Sequence, residues 1–549
     1  MQRKKQNRLL LLSILSGLLL GLPWLEWFSG IILLVAFIPL FFVEDYLFNN
    51  KAKYRPVVMF GYAFLAFLTW NIVAVSWIYK VTIPGAIFVI VTNSLLLALL
   101  FFLFHVTKRN MGIAFGTFSL FVYWLGWEYF MFHAELSFPW LTLGNGFAKD
   151  IALIQWYEFT GVLGGSLWIL IVSFTLFAVL RHYILYKTFK GQTTRLVFAL
   201  IVIVGPVIVS SNIYSNYEEE QNPVKVGLIQ PNIDPYNEKY TGLTQKEQID
   251  KILDLAESIV DSSMEYMIAP ETTIHDSLWQ KDIKGHPSVE RVQGMVNQYP
   301  GLNFILGVDI KRALQETNRN NVPPEAGQKD GDGAFFMRYN AAIQIDTTDH
   351  IPVYYKSRLV NGIEKVPYPG IFHFLSNWFV DVGDEIGSLG TQDSREVFHS
   401  TGDDVGVAPV ICYESVYGEF ITKYLPYGAD IIVIITNDGW FSNTQGYKQH
   451  LNFARLRAIE TRRSIARSAN TGISCFINQK GQIMKFTSWW EETAIKGTLN
   501  KNREMTFYAK FGNYIGRISA FLGIFALLYL IAKILIMRSK NADLMKLRQ

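Results

Sequence analysis

The chain has 549 residues, which is long enough for three or four domains with buried cores and excludes a small disulfide-stabilised scaffold. Its residues are 50% hydrophobic, 15% aromatic and 17% charged, which is too apolar for a disordered chain and unusually apolar for a soluble one. Residues 1–217 carry 22 charged side chains, residues 514–549 carry 7, and residues 218–513 carry 67. We therefore predict membrane parts at residues 1–217 and 514–549, separated by a water-soluble domain at residues 218–513.

The formal net charge of +4 combines two basic membrane parts with an acidic middle domain. This distribution gives no reason to expect nucleic-acid binding, because the basic residues lie in the short loops and ends of the membrane parts.

Long uncharged runs predict transmembrane helices, because about 20 apolar residues span the hydrocarbon core of a bilayer. Seven runs have at least 17 residues: Leu9–Leu25, Trp27–Val43, Pro56–Tyr79, Val81–Val106, Asn110–Trp127, Phe159–Leu180 and Leu196–Tyr217. An eighth run, Ile518–Ala532, is shorter, but Lys533 can extend to the interface and the apolar character continues beyond it. We predict an α-helical membrane bundle of eight spans.

Basic residues orient this bundle, because Lys and Arg accumulate in short cytoplasmic loops. They precede the first predicted span and follow the second, fourth, sixth and eighth: Arg3, Lys4, Lys5, Arg8, Lys51, Lys53, Arg55, Lys108, Arg109, Arg181, Lys187, Lys190, Arg195, Arg538, Lys540, Lys546 and Arg548. Both termini are therefore predicted to be cytoplasmic, and residues 218–513 are predicted to lie on the exported side. Between the fifth and sixth spans, His133–Glu158 is either an interfacial segment or an ordinary loop.

The exported domain shows alternating strand and helix patterns, typical of an α/β layered fold. The predicted strands are Lys225–Gln230, Tyr266–Ala269, Asn303–Val308, Ala341–Asp346, Val405–Ile411, Ile431–Thr436 and Ile473–Asn478. The predicted helices include Gln245–Ser262, His286–Gln298 and Gln449–Thr461. Active sites of such folds lie where strands end.

Three predicted strand ends carry residues capable of chemistry. Glu271 follows a short apolar strand and a proline, so it is either a general base or a cap of the next turn. Lys356 ends an extended segment, where it is either an oxyanion-stabilising cation or a surface lysine. Cys412 follows a β-run at the start of a predicted helix, whose amides would lower its thiol pKa. Alternatively, Cys412 is structural or forms a disulfide with Cys475, the other cysteine of the chain.

The order of glutamate, lysine and cysteine resembles the nitrilase, or carbon-nitrogen hydrolase, superfamily. The resemblance covers nearly all of residues 223–500 and rests on five segments: Ala269–Glu271, Tyr355–Lys356, Ile411–Glu414, Thr436–Asp438 and Ser468–Gly472. A domain of this kind placed before the last of eight spans resembles the bacterial apolipoprotein N-acyltransferase family over essentially the whole chain.

This resemblance implies an αββα sandwich and specific site residues. Glu271 would be the catalytic base, Lys356 the catalytic lysine and Cys412 the nucleophile. The resemblance further implies supporting roles for Glu364, Glu414, Tyr413 and Asn340. Tyr240 stands in a loop where many relatives have a tryptophan. Apolar side chains within Ile371–Val380 form either a lipid-contacting lid or ordinary core.

The family resemblance also implies a bacterial inner-membrane enzyme with a phospholipid acyl donor and a diacylated apolipoprotein acceptor. Transfer would proceed through a cysteine thioester to the α-amine of the lipidated N-terminal cysteine. We expect no cofactor and no metal, because the sequence lacks a zinc-type Cys/His cluster and a phosphate-binding glycine loop. The alternative is a membrane-tethered amidase that hydrolyses a small amide with the same three residues. His450 is expected to be structural.

Overall fold

The structure is a computed structural model and describes residues 2–315, 322–323, 326–328, 335–368, 389–402 and 404–546. The chain divides into two compact units. The first comprises residues 1–76, 86–213 and 513–549, and the second comprises residues 77–85 and 214–512. The lid candidate Ile371–Val380 lies outside the described residues.

The α-helices, numbered in chain order, are α1 Gln2–Gly21, α2 Leu33–Ala36, α3 Ile38–Asn49, α4 Val57–Val75, α5 Ile83–Met111, α6 Ile113–Met131, α7 Tyr157–Tyr186, α8 Thr193–Asn216, α9 Gln245–Glu257, α10 Pro287–Val296, α11 Gly418–Thr422, α12 Gln445–Thr461, α13 Phe507–Phe511 and α14 Tyr514–Lys546. In the first unit α1 packs along α4, and α6 packs against α14.

Among the described residues, seven helical segments are long and apolar enough to cross a membrane. They are Arg3–Trp24, Gly30–Asn49, Val57–Lys80, Ile83–Met111, Tyr157–Tyr186, Thr193–Asn216 and Tyr514–Lys540. Multiple apolar helices identify a membrane protein. The predicted fifth span forms the 19-residue helix α6 but is not among these seven. Glu128 and several Trp and Tyr residues reduce its apolar character, so the count of eight spans stays a prediction.

One residue and one segment of the first unit differ from what the sequence predicts. Lys108 belongs to α5 rather than to a loop, and its buried ammonium pairs with the Glu44 carboxylate, which also contacts His105. The predicted loop or interfacial segment forms three short 3₁₀ turns, Pro139–Leu141, Leu143–Phe147 and Ile151–Leu153. Since the first two turns are buried, this segment is part of the packed interior of the unit.

The strands are β1 Pro223–Gln230, β2 Tyr266–Ile268, β3 Ile274–Trp279, β4 Asn303–Ala313, β5 Gly327–Gln328, β6 Phe335–Ile345, β7 Val353–Tyr355, β8 Phe398–His399, β9 Gly406–Ile411, β10 Ile431–Thr436, β11 Ile465–Ala469, β12 Cys475–Ile477, β13 Ile483–Phe486 and β14 Thr493–Asn500. One sheet has the order β14-β1-β2-β4-β6-β5, with β3 beside β4 and β7 beside β6. The other has the order β13-β12-β11-β10-β9-β8.

The two sheets stack face to face between helices. The Ser468 hydroxyl on β11 donates to the Ile229 carbonyl on β1, 2.8 Å away, and the Tyr266 hydroxyl on β2 donates to the Val405 carbonyl beside β9. Helices α9 and α10 share an apolar core with the first sheet, and α12 packs against the second. The second unit therefore has the predicted αββα sandwich, and its buried strands are rich in Ile and Val as sheets covered on both faces require.

Parallel pairing brings the functional strand ends to common edges. Strand β2 runs parallel to β1 and β4, and β10 runs parallel to β9 and β11. In parallel strands the carboxyl ends lie at the same edge of a sheet, where α/β folds place their sites. Glu271 follows β2 and Cys412 follows β9. Lys356 follows β7, which pairs antiparallel with β6 and therefore runs in the same direction as β4, so all three candidate residues occupy strand ends.

Candidate active site

Cys412 occupies a strained turn directly after β9. Its φ is +50°, in the left-handed region that non-glycine residues rarely adopt, and it begins a five-residue 3₁₀ turn, Cys412–Val416. The residue is half-buried. The predicted α-helix at this point is absent, and α11 begins only at Gly418.

The thiol of Cys412 is held in its protonated form by its surroundings. Burial and the negative charge of Glu271 raise its pKa above the ordinary value, and the Lys356 ammonium and a hydrogen bond with Thr436 oppose this shift only partly. The prediction of a lowered thiol pKa was therefore wrong, because burial and the charge of Glu271 dominate, and the predicted α-helix that would have opposed them is absent. A thiol of this kind needs a base to become a nucleophile.

Glu271, Lys356, Glu364 and Asn340 form one largely buried cluster, in which Glu364 is half-buried and the other three residues are buried. The Lys356 Nζ lies 2.9 Å from Glu271 Oε1 and 2.7 Å from Glu364 Oε1. The Asn340 amide donates to the same two oxygens at 2.8 and 3.0 Å. The remaining oxygen of Glu271, Oε2, accepts from the Asn437 backbone N–H at 3.1 Å. The structure thus brings Glu271 together with three residues that lie about 70 to 90 positions further along the chain.

The charges of this cluster stabilise each other. Burial opposes ionisation of Glu271, but the Lys356 ammonium and the hydrogen bonds from Lys356 and Asn340 outweigh it and hold the pKa of Glu271 below its ordinary value. Burial would lower the pKa of Lys356, but Glu271 and Glu364 raise it well above the ordinary value. Glu271 is therefore a carboxylate that can accept a proton, and Lys356 is a cation beside it.

The loop that carries Glu271 depends on close backbone packing. Thr272 has φ of +48°. A Cβ at Gly307 on β4 would come within 2.5 Å of the Thr272 backbone nitrogen. Only glycine at position 307 therefore lets the strained loop pass at this distance.

Glu414 lies in the turn after Cys412 and makes different contacts from Glu271. It accepts hydrogen bonds from the Tyr354 hydroxyl at 2.6 Å and from the backbone N–H groups of Ser357 and Ile411 at 2.6 and 2.8 Å. Burial raises its pKa despite these hydrogen bonds. Glu414 thus connects the segment before the candidate nucleophile to the segment after the candidate lysine. The neighbouring Tyr413 is buried, and its ring lies 5.4 Å from that of Tyr417.

Lys239 is a site residue that sequence reasoning missed. Its buried Nζ donates to the Thr272 hydroxyl at 2.5 Å and to the Glu271 carbonyl at 3.3 Å. Burial lowers its pKa to about 8, although the charge of Glu271 acts in the opposite direction. The sequence signal was weak, because Lys239 lies in a polar loop outside any strand end. The adjacent Tyr240 is partly exposed, and its ring lies 5.5 Å from that of His275.

The sequence left open a disulfide between Cys412 and Cys475. Both cysteines are free thiols in the structure. Cys475 lies fully buried in β12, where burial raises its pKa to about 12. Of the two cysteines, only Cys412 is partly exposed and surrounded by the charged cluster.

The chain resembles known proteins along most of its length. Residues 225–505 match the carbon-nitrogen hydrolase family, and residues 16–175 match the apolipoprotein N-acyltransferase N-terminal domain. An apolipoprotein N-acyltransferase of Chlorobaculum tepidum is 28% identical over 533 residues, which cover 95% of this chain and 96% of that protein. An apolipoprotein N-acyltransferase of Geobacter metallireducens is 25% identical over 514 residues, which cover 92% of this chain and 91% of that protein.

Among solved structures, a variant of an amidase of the nitrilase superfamily from Nesterenkonia is 13% identical, with a TM-score of 0.36. The match covers 55% of this chain and 99% of that chain.

Proposed function

The chain belongs to the carbon-nitrogen hydrolase family, and on that premise we propose that it is an apolipoprotein N-acyltransferase of the bacterial inner membrane. The observation that carries the proposal is the largely buried cluster of Glu271, Lys356, Glu364 and Asn340 beside Cys412, in a chain that also has apolar helices. The relatives that extend over nearly the whole chain support the acyltransferase reaction over hydrolysis of a small amide.

In the first half-reaction Cys412 attacks an ester carbonyl of a phospholipid. Its sulfur forms the new S–C bond as Glu271 accepts the thiol proton. The C–O bond to the glycerol backbone then breaks, and the proton passes from Glu271 to the departing oxygen. The products are a thioester on Cys412 and a lysophospholipid. No cofactor is needed for this step, because the ester carries the acyl group in reactive form.

Lys356 stabilises the oxyanion of the tetrahedral intermediate through charge and hydrogen bonding, and the Tyr413 backbone amide supplies a second donor. Glu364 and Asn340 hold Lys356 and Glu271 in place, as their distances of 2.7 and 2.8 Å support. Glu414 fixes the backbone on both sides of the site.

In the second half-reaction the α-amine of a lipoprotein's lipidated N-terminal cysteine attacks the thioester. The N–C bond forms, the S–C bond breaks, and the amine proton returns to the sulfur through Glu271. Conversion of a thioester to an amide is downhill, so the transfer requires no nucleotide. Both substrates are anchored in the bilayer, which gives a physical reason for joining the catalytic domain to membrane helices.

The proposed topology places residues 218–513 on the exported side, with residues 1–217 and 514–549 as the membrane parts. The basic residues near the helix ends support it through the bias of cytoplasmic loops toward Lys and Arg. The orientation is tested with single cysteines at two exposed positions, Lys246→Cys and Lys540→Cys, in a Cys412→Ser, Cys475→Ser background. In intact cells an impermeant maleimide should label Lys246→Cys and not Lys540→Cys. Labelling of Lys540→Cys but not Lys246→Cys would contradict this orientation.

The function is tested with purified protein, phosphatidylethanolamine vesicles and a synthetic diacylated lipopeptide. We expect a triacylated peptide by mass spectrometry and an equal amount of lysophospholipid. Free fatty acid without triacylated peptide would contradict the proposal and favour a hydrolase. A parallel incubation with a small amide, monitored for ammonia, measures the amidase alternative directly.

A further inference from the structure

A chain of three buried side chains leads from the interior of the domain to the backbone of Cys412. The Arg467 guanidinium donates to Asp438 Oδ2 at 2.6 Å, and Asp438 Oδ1 lies 3.0 Å from His450 Nδ1. The other ring nitrogen, His450 Nε2, lies 3.1 Å from the carbonyl oxygen of Cys412. All three side chains are fully buried. None of them belongs to the cluster around Lys356.

The contacts of His450 Nε2 with Cys412 and Ser415 depend on which ring nitrogen carries a proton, and both are hydrogen bonds when Nε2 carries one. The Ser415 hydroxyl donates its single proton to the Cys412 carbonyl at 2.8 Å, and its oxygen lies 3.0 Å from His450 Nε2. A carbonyl oxygen only accepts, and the hydroxyl proton is already used. Both contacts of Nε2 are therefore satisfied when Nε2–H is the donor. His450 and Ser415 thus hold the same carbonyl from two directions.

The carbonyl held by His450 and Ser415 belongs to Cys412, whose backbone is in the left-handed region. With φ of +50°, Cys412 has a strained backbone conformation that contacts with its surroundings must stabilise. On its N-terminal side, the Ile411 N–H is fixed by Glu414. On its C-terminal side, only Ser415 and His450 hold the carbonyl among the described side chains.

The same network reaches the thiol and the candidate base. The Thr436 hydroxyl donates to Asp438 Oδ1 at 3.0 Å and also interacts with the Cys412 thiol. The next residue, Asn437, donates its backbone N–H to Glu271. Thr436, the last residue of β10, and the two residues after it therefore connect the nucleophile, its base and the Asp438 carboxylate.

We propose that His450, oriented by Asp438 and Arg467, is a positioning residue that fixes the left-handed backbone of Cys412 and so aims the thiol at Glu271 and Lys356. This inference rests on the proposed function, since it takes Cys412 as the nucleophile. His450 does not touch the reacting atoms, and it acts through the backbone of Cys412.

The test compares His450→Leu, which removes the donor, with His450→Gln, whose side-chain amide can donate from a similar position. Tyr266→Phe is the matched control, because it removes a buried hydrogen bond to the Val405 carbonyl in the same domain. For each protein, single-turnover thioester formation, KM for phospholipid and thermal stability are measured. The rate of Cys412 alkylation by iodoacetamide is measured in a Cys475→Ser background.

For His450→Leu we expect thioester formation to slow about 100-fold, as for a misplaced reacting group, with KM within about twofold of the wild type. His450→Gln should recover most of this loss, and Tyr266→Phe should react at the wild-type rate. An unchanged rate in His450→Leu, or equal losses in the Leu and Gln variants, would overturn the inference.

If His450→Leu does not fold, Ser415→Ala decides, because it removes the other donor to the same carbonyl. A loss of about tenfold in thioester formation supports the inference, and an unchanged rate overturns it. The alkylation rates separate the two proposals. If wild-type protein forms no thioester, the proposed function fails, whereas slower alkylation in His450→Leu than in the wild type and Tyr266→Phe still supports positioning, and equal alkylation overturns it.

Discussion

Lys356 places its ammonium between two carboxylates, 2.9 Å from the buried Glu271 and 2.7 Å from the half-buried Glu364. A largely buried ion triad of this kind contributes little net stability, but the loss of one partner leaves uncompensated charge. The arrangement fixes the proposed base, Glu271, and the proposed oxyanion-stabilising cation, Lys356, relative to each other before substrate binds.

Replacement of Lys356 tests this arrangement. Lys356→Met should slow thioester formation by at least about 100-fold, because a preorganised donor to the oxyanion is lost. It should also destabilise the protein by about 3 kcal/mol, since the buried carboxylate of Glu271 and the half-buried one of Glu364 lose their cation. Single-turnover kinetics and denaturant unfolding measure the two effects. Lys246→Met, at an exposed lysine paired with Asp250, should change neither by much, and comparable losses in both variants would contradict the prediction.

The pH dependence of Glu271 has a definite sign. Its pKa is lower in the folded protein than in the unfolded chain, so its stabilising effect is present above the unfolded value of about 4.3 and is lost as pH falls through the folded value. The ordinary pKa of a glutamate is about 4.3, so Glu271 should stay ionised from pH 5 to 7. The pH–rate profile of thioester formation should therefore show no acid limb from Glu271 in this range. Glu271→Gln should lower the rate by at least about 100-fold at every pH in that window. An acid limb near pH 6 that disappears in Glu271→Gln would show a raised pKa instead.

The two cysteines make different predictions. Cys412→Ser should abolish the acyl-enzyme mass increase after incubation with phospholipid, whereas Cys475→Ser should retain it. The reason is that only Cys412 is partly exposed and lies beside the charged cluster. Intact-protein mass spectrometry measures the adduct. Equal loss in both variants would instead support a functional link between the cysteines.

The lowered pKa of Lys239 predicts that the free energy of unfolding changes with pH in the alkaline range. Its pKa is lowered to about 8, whereas the unfolded chain keeps an ordinary value near 10.4. Between these values the unfolded state binds more protons, so this residue makes the folded protein more stable as pH rises. The difference in unfolding midpoint between wild type and Lys239→Met should therefore shift in favour of the wild type from pH 8 to 10. A constant difference across this range would show that Lys239 is not a titrating group there.

Strand ends that carry a reactive residue are the features that the sequence predicts best. The family resemblance is confirmed, and most predicted strands agree with β1, β2, β4, β6, β9, β10 and β12 to within a few residues, although β6 begins six residues earlier than predicted. Seven strands were missed: β3, β5, β7, β8, β11, β13 and β14. Six of them have only two to six residues, which carry too little periodicity to stand out, and the eight-residue β14 lacks a continuous apolar run. The catalytic roles assigned to Glu271, Lys356 and Cys412 remain predictions, although the structure brings their surroundings together.

Tertiary contacts account for the remaining differences. Lys108 reads as a loop charge in sequence, but Glu44 compensates it inside the first unit. Cys412 reads as a helix start, but its left-handed backbone permits only a short 3₁₀ turn. Lys239 and His450 show no pattern along the chain, because their partners lie on other segments. Such contacts depend on the packing of the whole domain rather than on local periodicity.

Glu414 has a wider consequence than its own three hydrogen bonds. Ile411 belongs to one sheet and Ser357 follows a strand of the other, so a single carboxylate connects the two sheets beside the candidate nucleophile Cys412 and the candidate lysine Lys356. The rate of catalysis should therefore depend on the spacing between the two sheets. Mild heat or a harsh detergent that lets the sheets slide by a fraction of an ångström should silence the enzyme while its circular dichroism spectrum still looks native.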